Sequence, residues 1–249
     1  MGKLSGKTAL ITGASKGIGE GIARTFVKHG ANVVLAARGQ AVEDLAAQLR
    51  AEGAHAVAVR MDVADMDSVR AGYEAGVKAF GAIDILVSNA GICRLGDFLT
   101  QSDADRDAHL DINVKGAWNT CKAVLPAMVE RKWGKIVIMS SVTGDMVADP
   151  GEAAYAMSKA ALVGLTKALA REFAPYVNVN AICPGYVLTP MVQGMAVQSC
   201  PDNPQSVVDG IASAIPLGRL ADPKEVGELA AFLASDDGST LPETSTMGV

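Results

Sequence analysis

Tyr155 and Lys159 stand four residues apart in AAYAMSKAALVGL, a stretch with helical periodicity. Residues at that spacing share one helix face. A phenol ordinarily titrates at about 10, too high for ready proton exchange at neutral pH. A neighbouring ammonium favours the phenolate, so the pair reads as a general acid/base device. Ser140-Ser141 follows the apolar run KIVIM, and either hydroxyl has the chemistry to hold and polarise a carbonyl oxygen. Taken singly, each feature is commonplace: a Tyr-x-x-x-Lys pair often decorates a surface, and Ser-Ser often makes a turn.

A second constellation lies near the N-terminus. The strand-like run TALIT leads into Thr12-Gly13-Ala14-Ser15-Lys16-Gly17-Ile18-Gly19, and a helical pattern ending at Gly30 follows. Glycines there permit a tight turn and let backbone approach a pyrophosphate. The helix start offers unpaired N–H groups to the anion. Three glycines between a first strand and a first helix are a far stronger signal than a lone triplet. Metal chemistry finds no support. His29, His55 and His109 are scattered, and Cys93, Cys121, Cys183 and Cys200 match neither a zinc nor a redox-pair spacing.

The elements that must position these residues follow from periodicity. Apolar runs at 8–12, 31–37, 54–60, 83–88, 135–140 and 177–182 read as strands. Helical patterns cover the phosphate-loop helix, 40–52, 65–80 with Asp65 as N-cap, 103–131, 154–173 and 222–235. Asp222-Pro223 supplies the cap and first position of the last. Pro126 is expected to bend or break the second half of the long helix. Continuously apolar strands separated by helices indicate a parallel sheet covered on both faces. Right-handed crossovers make it a doubly wound α/β sheet, with ligands beyond the carboxyl ends of the strands. One domain of 249 residues accommodates this.

Composition narrows the function. Hydrophobic residues are 49% and charged residues 20%, which argues against disorder. A net charge of −5 with 4% aromatics makes a poor nucleic-acid binder. No apolar run reaches the roughly 18 residues of a membrane helix. MGKLSGKTALITG has no apolar targeting core before a small-residue cleavage site, so a cytoplasmic location with reduced thiols is expected.

The glycine loop has the spacing Gly-x-x-x-Gly-x-Gly. Asn89-Ala90-Gly91 follows the fourth strand and Asn113 sits in the next helix. Ser141 follows the fifth strand, Tyr155 and Lys159 open the helix after it, and Pro184-Gly185 follows the sixth. In this order, from Lys3 to about Ala234, the chain resembles the short-chain dehydrogenase/reductase family. The resemblance implies a single-domain Rossmann fold over 1–249, with a substrate-loop insertion at 186–219. It selects Ser141 over Ser140, because Ser141 lies three before Gly144. It implies a catalytic set of Asn113, Ser141, Tyr155 and Lys159, with Asn113 as a helix-kink residue holding a water beside Lys159. It also implies a nicotinamide site. Gly13, Ser15, Lys16, Gly17, Ile18 and Gly19 form the phosphate loop. Asp62 and Val63 contact the adenine, and Asn89, Ala90 and Gly91 line the wall beside the adenosine ribose. Tyr155 and Lys159 lie at the nicotinamide end, Lys159 on its ribose hydroxyls. Pro184 and Gly185 lead to Thr189, on its carboxamide.

The second strand ends Ala36-Ala37-Arg38, where an NAD site commonly carries Asp or Glu for the ribose 2′-hydroxyl. Arg38 can grip a 2′-phosphate bidentately, with Lys16 and Ser15 in support, so NADP(H) is expected over NAD(H). The substrate pocket is expected between Ile92 to Leu95, Val142 to Met146 and the insertion. Arg94 is the one candidate anion clamp, with Asp97 placed to neutralise it. The expected substrate is a small or medium neutral carbonyl compound or secondary alcohol. A non-catalytic dinucleotide sensor or scaffold is the competing reading, although such a protein would be free to lose Tyr155 or Lys159. A homo-oligomer, tetramer or dimer, is expected, with neither nucleic acid nor membrane as partner.

One departure stands out. The family's closing loop, seventh strand and Asp-Gly-Gly turn are not recognisable. Leu233-Ala234-Ser235-Asp236-Asp237 runs directly into Gly238-Ser239-Thr240-Leu241, and no later stretch alternates like a strand. A sheet lacking its seventh strand is therefore expected.

Overall fold

The computed structural model describes residues 2–240 and 246–248. Six parallel strands run in the order β3-β2-β1-β4-β5-β6: β1 (Thr8–Thr12), β2 (Asn32–Ala37), β3 (Ala56–Arg60), β4 (Ile85–Ser88), β5 (Gly134–Met139) and β6 (Val177–Cys183). Strand side chains alternate between faces, and both faces are apolar. Ala9 and Ile11 of β1, Val33 and Leu35 of β2, and Ile85 and Val87 of β4 enter one core. Leu10, Val34 and Leu86, the residues between them, enter the other. The first core is covered by α1 (Gly17–Lys28) and α2 (Ala41–Ala51). The second is covered by α3 (Met66–Phe80) and the helices that follow β4.

The sheet order reverses between β1 and β4, and the crevice above that switch point is where a doubly wound fold binds its ligand. Asn89 closes the crevice floor. Its Nδ2 donates to the Thr12 carbonyl at 2.9 Å, and the Thr12 hydroxyl accepts from the Asn89 and Ala90 amides at 3.0 and 3.1 Å.

The long helix is continuous through α4 (Asp103–His109), a π-helical turn (Leu110–Lys115) and α5 (Gly116–Glu130). Pro126 does not break the helix, since α5 runs through it. The irregularity falls instead on the π turn, which carries Asn113. Next come α6 (Val142–Asp145), α7 (Ala153–Phe173), α8 (Pro190–Ser199), α9 (Pro204–Ala214) and α10 (Pro223–Ala234). Asp65 caps α3, and Asp222 with Glu225 forms a capping box on α10.

The expectation of a missing seventh strand is corrected. Backbone at β7 (Thr246–Gly248) pairs in parallel with the β6 edge, Ala181 opposite Thr246 and Cys183 opposite Gly248. Three residues are too few to register as alternation in a sequence. Such a strand is recruited by the open ladder of its neighbour instead. Among the described residues, no helix is long and apolar enough to cross a membrane.

Candidate active site

A cleft of about 500 Å³ opens above the switch point. Gly13, Ser15, Lys16, Gly17, Ile18, Arg38, Asp62, Val63, Asn89, Ala90, Gly91, Tyr155, Lys159 and Thr189 all line it, so most of the expected cofactor residues converge. Three do not. Gly19 is buried behind the loop, where a Cβ would lie 2.3 Å from the Gly13 carbonyl oxygen, so its role is close packing of helix on strand. Pro184 and Gly185 line a smaller adjoining pocket.

The phosphate loop has the shape its glycines predict. Gly13 takes φ +64°, and a Cβ there would sit 2.9 Å from Ala90 Cα. The loop ends at Lys16, whose extended backbone starts α1, so the first-turn amides face the cleft without intrahelical acceptors. The side chains of Arg38 and Lys16 are exposed at the cleft and make no hydrogen bond or ion pair among the described residues. Among the described residues, Asp62 is the one carboxylate on the cleft wall. Its Oδ1 accepts from the Ala64 amide at 3.0 Å and so caps its own turn. The size, the bare helix start and the two free cations fit a phosphorylated dinucleotide.

At the far end of the cleft the serine register resolves. Ser140 Oγ donates to the Lys159 carbonyl at 2.8 Å, a bond between strand end and helix. Ser141 stands near enough to the Tyr155 phenol to hold its pKa down, and its Oγ accepts from the Thr143 amide at 3.1 Å. Lys159, 5% exposed, donates from Nζ to the Met139 carbonyl at 2.8 Å. Burial lowers its pKa to about 8. Nζ lies 5.6 Å from the Tyr155 ring centroid.

The ammonium was expected to lower the phenol, and this is corrected. Burial dominates and raises Tyr155 well above its ordinary range. The Ser141 hydroxyl opposes that rise, while negative charge at Cys93 and Glu152 adds to it. Asn113, almost fully buried, accepts from the Ile92 amide at 2.8 Å. Its Nδ2 donates to the Ile92 carbonyl at 3.0 Å and to Ser158 Oγ at 2.9 Å. It thus fixes the loop after Gly91 against α7. A Cβ on Gly91 would stand 3.3 Å from Asn113 Oδ1 and 3.5 Å from Lys159 Nζ, which places the two side chains together.

The smaller pocket, about 110 Å³, adjoins the cleft, and Ser140, Tyr155 and Thr189 line both. Thr189 also caps α8, accepting from the Val192 amide at 3.4 Å. Cys93, Val142, Met191 and Met195 are among the expected wall residues present. Asp149, Glu152 and Tyr186 line it as well; the first two were unforeseen, because a loop and a helix entry meet there only in the folded chain. Arg94 is no clamp in this pocket. It pairs with Asp105 at 2.7 Å, rather than with Asp97. His109 was also missed. Fully buried, it accepts the Arg94 amide on Nε2 at 3.1 Å, bonds the Asp105 carbonyl through Nδ1 at 2.7 Å, and meets the Tyr155 ring edge-on at 6.3 Å. Among the described residues no His, Cys, Asp and Glu cluster could hold a metal.

The comparisons with known proteins agree with this geometry. A family model described as enoyl-(acyl carrier protein) reductase matches residues 13–242. The oxidoreductase UcpA of Salmonella typhimurium is 60% identical, with all of both chains covered. That alignment runs over 263 positions against the 249 residues of this chain. The crystal structure of levodione reductase superposes with a TM-score of 0.94 at 30% identity, covering 99% of this chain and 96% of that one. A short-chain type dehydrogenase/reductase from Mycobacterium marinum gives 0.88 at 35% identity, covering 99% and 94%. With the glycine loop, Tyr155 and Lys159 around one cleft and Ser141 in the pocket adjoining it, the chain belongs to the short-chain dehydrogenase/reductase family of oxidoreductases.

Proposed function

We propose that the chain is an NADP(H)-dependent carbonyl reductase or alcohol dehydrogenase acting on small or medium neutral substrates. The observation that carries this reading is the position of Tyr155, on the boundary between a dinucleotide-sized cleft and a small pocket. Arg38, Lys16 and Ser15 would hold the 2′-phosphate end, and the helix start at Gly17 the pyrophosphate. Lys159 and Thr189 would hold the nicotinamide end. The nicotinamide, when bound, supplies or accepts the hydride.

The chain's own residues handle the proton. Ser141 and Tyr155 present two hydroxyls to a carbonyl oxygen in the small pocket and orient it. A phenol raised by burial is protonated at neutral pH, so Tyr155 is ready to give its proton to the developing alkoxide. Ser141 stabilises that oxygen while the charge grows. Asn113 keeps Gly91 and α7 in register around Lys159, which stays in reach of Tyr155. Exposed apolar side chains on the long helix, such as Trp118, support a homo-oligomer, tetramer or dimer. Four free thiols are in keeping with a cytoplasmic setting.

Tyr155→Phe tests the reading. Turnover of any carbonyl substrate should vanish, while NADPH titration followed by nicotinamide fluorescence stays near wild type. Turnover that survives removes Tyr155 from the mechanism. Retained binding by a wild-type chain that reduces no carbonyl compound favours the sensor reading instead.

A further inference from the structure

The pocket beyond Tyr155 holds carboxyl groups that proton transfer does not require. Glu152 precedes Tyr155 by three residues, is 5% exposed, and lines the pocket with Asp149. Thr143 Oγ1 donates to Glu152 Oε2 at 3.2 Å, and the Glu152 backbone amide donates to the Asp149 carbonyl at 3.2 Å. The Tyr186 hydroxyl in turn donates to Asp149 Oδ2 at 3.0 Å. Neither carboxyl meets a cation there, since no lysine, arginine or histidine lines this pocket among the described residues.

Such a wall has a definite preference. A buried carboxyl without a counter-ion repels a second anion. It accepts a hydrogen bond from a ligand hydroxyl, and leaving that acceptor unmet is costly. Val142, Val147, Val187 and Val192 supply apolar wall beside the hydroxyls of Ser141, Tyr155 and Thr189. The volume of about 110 Å³ is below the roughly 150 Å³ of a cavity that holds benzene. Tyr155 and Glu152 line the same small pocket, so a carbonyl compound bound against Tyr155 shares it with the Glu152 carboxyl.

Building on the oxidoreductase reading, we propose that Glu152, steadied by Asp149, is a specificity-determining residue. It selects small carbonyl compounds that carry a hydroxyl on the carbon beside the reacting centre, and it rejects carboxylates.

Three ketones of nearly equal size separate the terms: hydroxyacetone, butanone and pyruvate. Wild type with NADPH should reduce hydroxyacetone about 10- to 100-fold better than butanone in kcat/KM, the range of a hydrogen bond to a charged group. Pyruvate should be the poorest of the three. In Glu152→Leu the first ratio should fall to within about threefold of unity, with NADPH affinity kept as the sign of an intact fold. Glu152→Gln, which keeps one acceptor, should fall between. A wild type that prefers butanone or pyruvate, or a Glu152→Leu variant that keeps the ratio, overturns the inference and leaves the oxidoreductase reading standing. If none of the three is reduced, saturation-transfer NMR with propane-1,2-diol and butan-2-ol decides. Diol-selective binding lost in Glu152→Leu sustains the pocket assignment and faults the reaction. Equal or absent binding of the two overturns the assignment.

Discussion

Ser140 donates its hydroxyl proton to the carbonyl oxygen of Lys159 at 2.8 Å, while its neighbour Ser141 lines the small pocket with Tyr155 and accepts from the Thr143 amide at 3.1 Å. Extended backbone sends adjacent side chains to opposite sides, so the Ser140 hydroxyl is spent on the helix carbonyl while the Ser141 hydroxyl belongs to the small pocket. Ser141→Ala should lower kcat by about 10²- to 10³-fold, the usual loss when one donor to a developing oxyanion is removed. Ser140→Ala should instead cost about 1 kcal/mol of stability, with a smaller change in turnover. Steady-state kinetics and thermal denaturation of both variants check the assignment. The reverse pattern would move the catalytic role to Ser140.

Lys159 gives the site a pH signature. Burial lowers its folded pKa to about 8, below the ordinary lysine value of 10.5. Between those values the unfolded chain binds more protons than the folded one, so stability rises with pH. The gain is lost as pH falls through 8, where the fold must hold a buried ammonium. Denaturant unfolding at pH 7, 8, 9 and 10 should show wild type gaining stability relative to Lys159→Met across the upper part of that range. The window stops at 10 because Tyr155, raised by burial, contributes the opposite slope above it. A flat difference between the two proteins would mean that Lys159 is not buried as described.

Much of this arrangement was legible beforehand, and the exceptions share a cause. β1 and β6 are rich in apolar residues, and the expected bounds match the first and fall one residue short of the end of the second. The glycine loop is legible because positive φ at Gly13 and close packing at Gly19 demand glycine whatever the rest of the fold does. Asp65 and Asp222 cap helices by local chemistry. What stayed hidden depends on chain segments meeting in space. Arg94 finds Asp105 rather than Asp97, because α4 folds back over the loop. Glu152 reaches Thr143 across the turn at Asp149 to Gly151. The phenol of Tyr155 rises rather than falls because burial dominates, and the Lys159 ammonium is hydrogen-bonded to the Met139 carbonyl.

Arg38 is the residue on which cofactor choice should turn. It stands exposed at the end of β2, without a partner among the described residues. Arg38→Asp removes the cation and puts a carboxylate where a 2′-phosphate would lie. NADPH affinity should fall by about 10- to 100-fold, and NADH affinity should hold or improve. Fluorescence titration with both nucleotides measures the ratio directly. An unchanged ratio would transfer the discrimination to Lys16 and Ser15.

His109 supports the site from behind. Its Nε2 accepts the Arg94 amide and its Nδ1 bonds the Asp105 carbonyl, so the ring ties the loop after Gly91 to α4. The same ring meets Tyr155 edge-on at 6.3 Å. His109→Leu keeps the bulk and removes both bonds, leaving two backbone groups unmet in a buried place. Each such group costs about 1–3 kcal/mol, so a clear fall in Tm is expected. The loop it releases carries Cys93, a wall of the substrate pocket, whereas the phosphate loop lies elsewhere. Substrate KM should therefore rise more than kcat falls, with NADPH affinity near wild type. His109→Gln, which can restore one of the two bonds, should recover part of both losses. Equal damage to NADPH binding would show that His109 holds the whole crevice, rather than its substrate side.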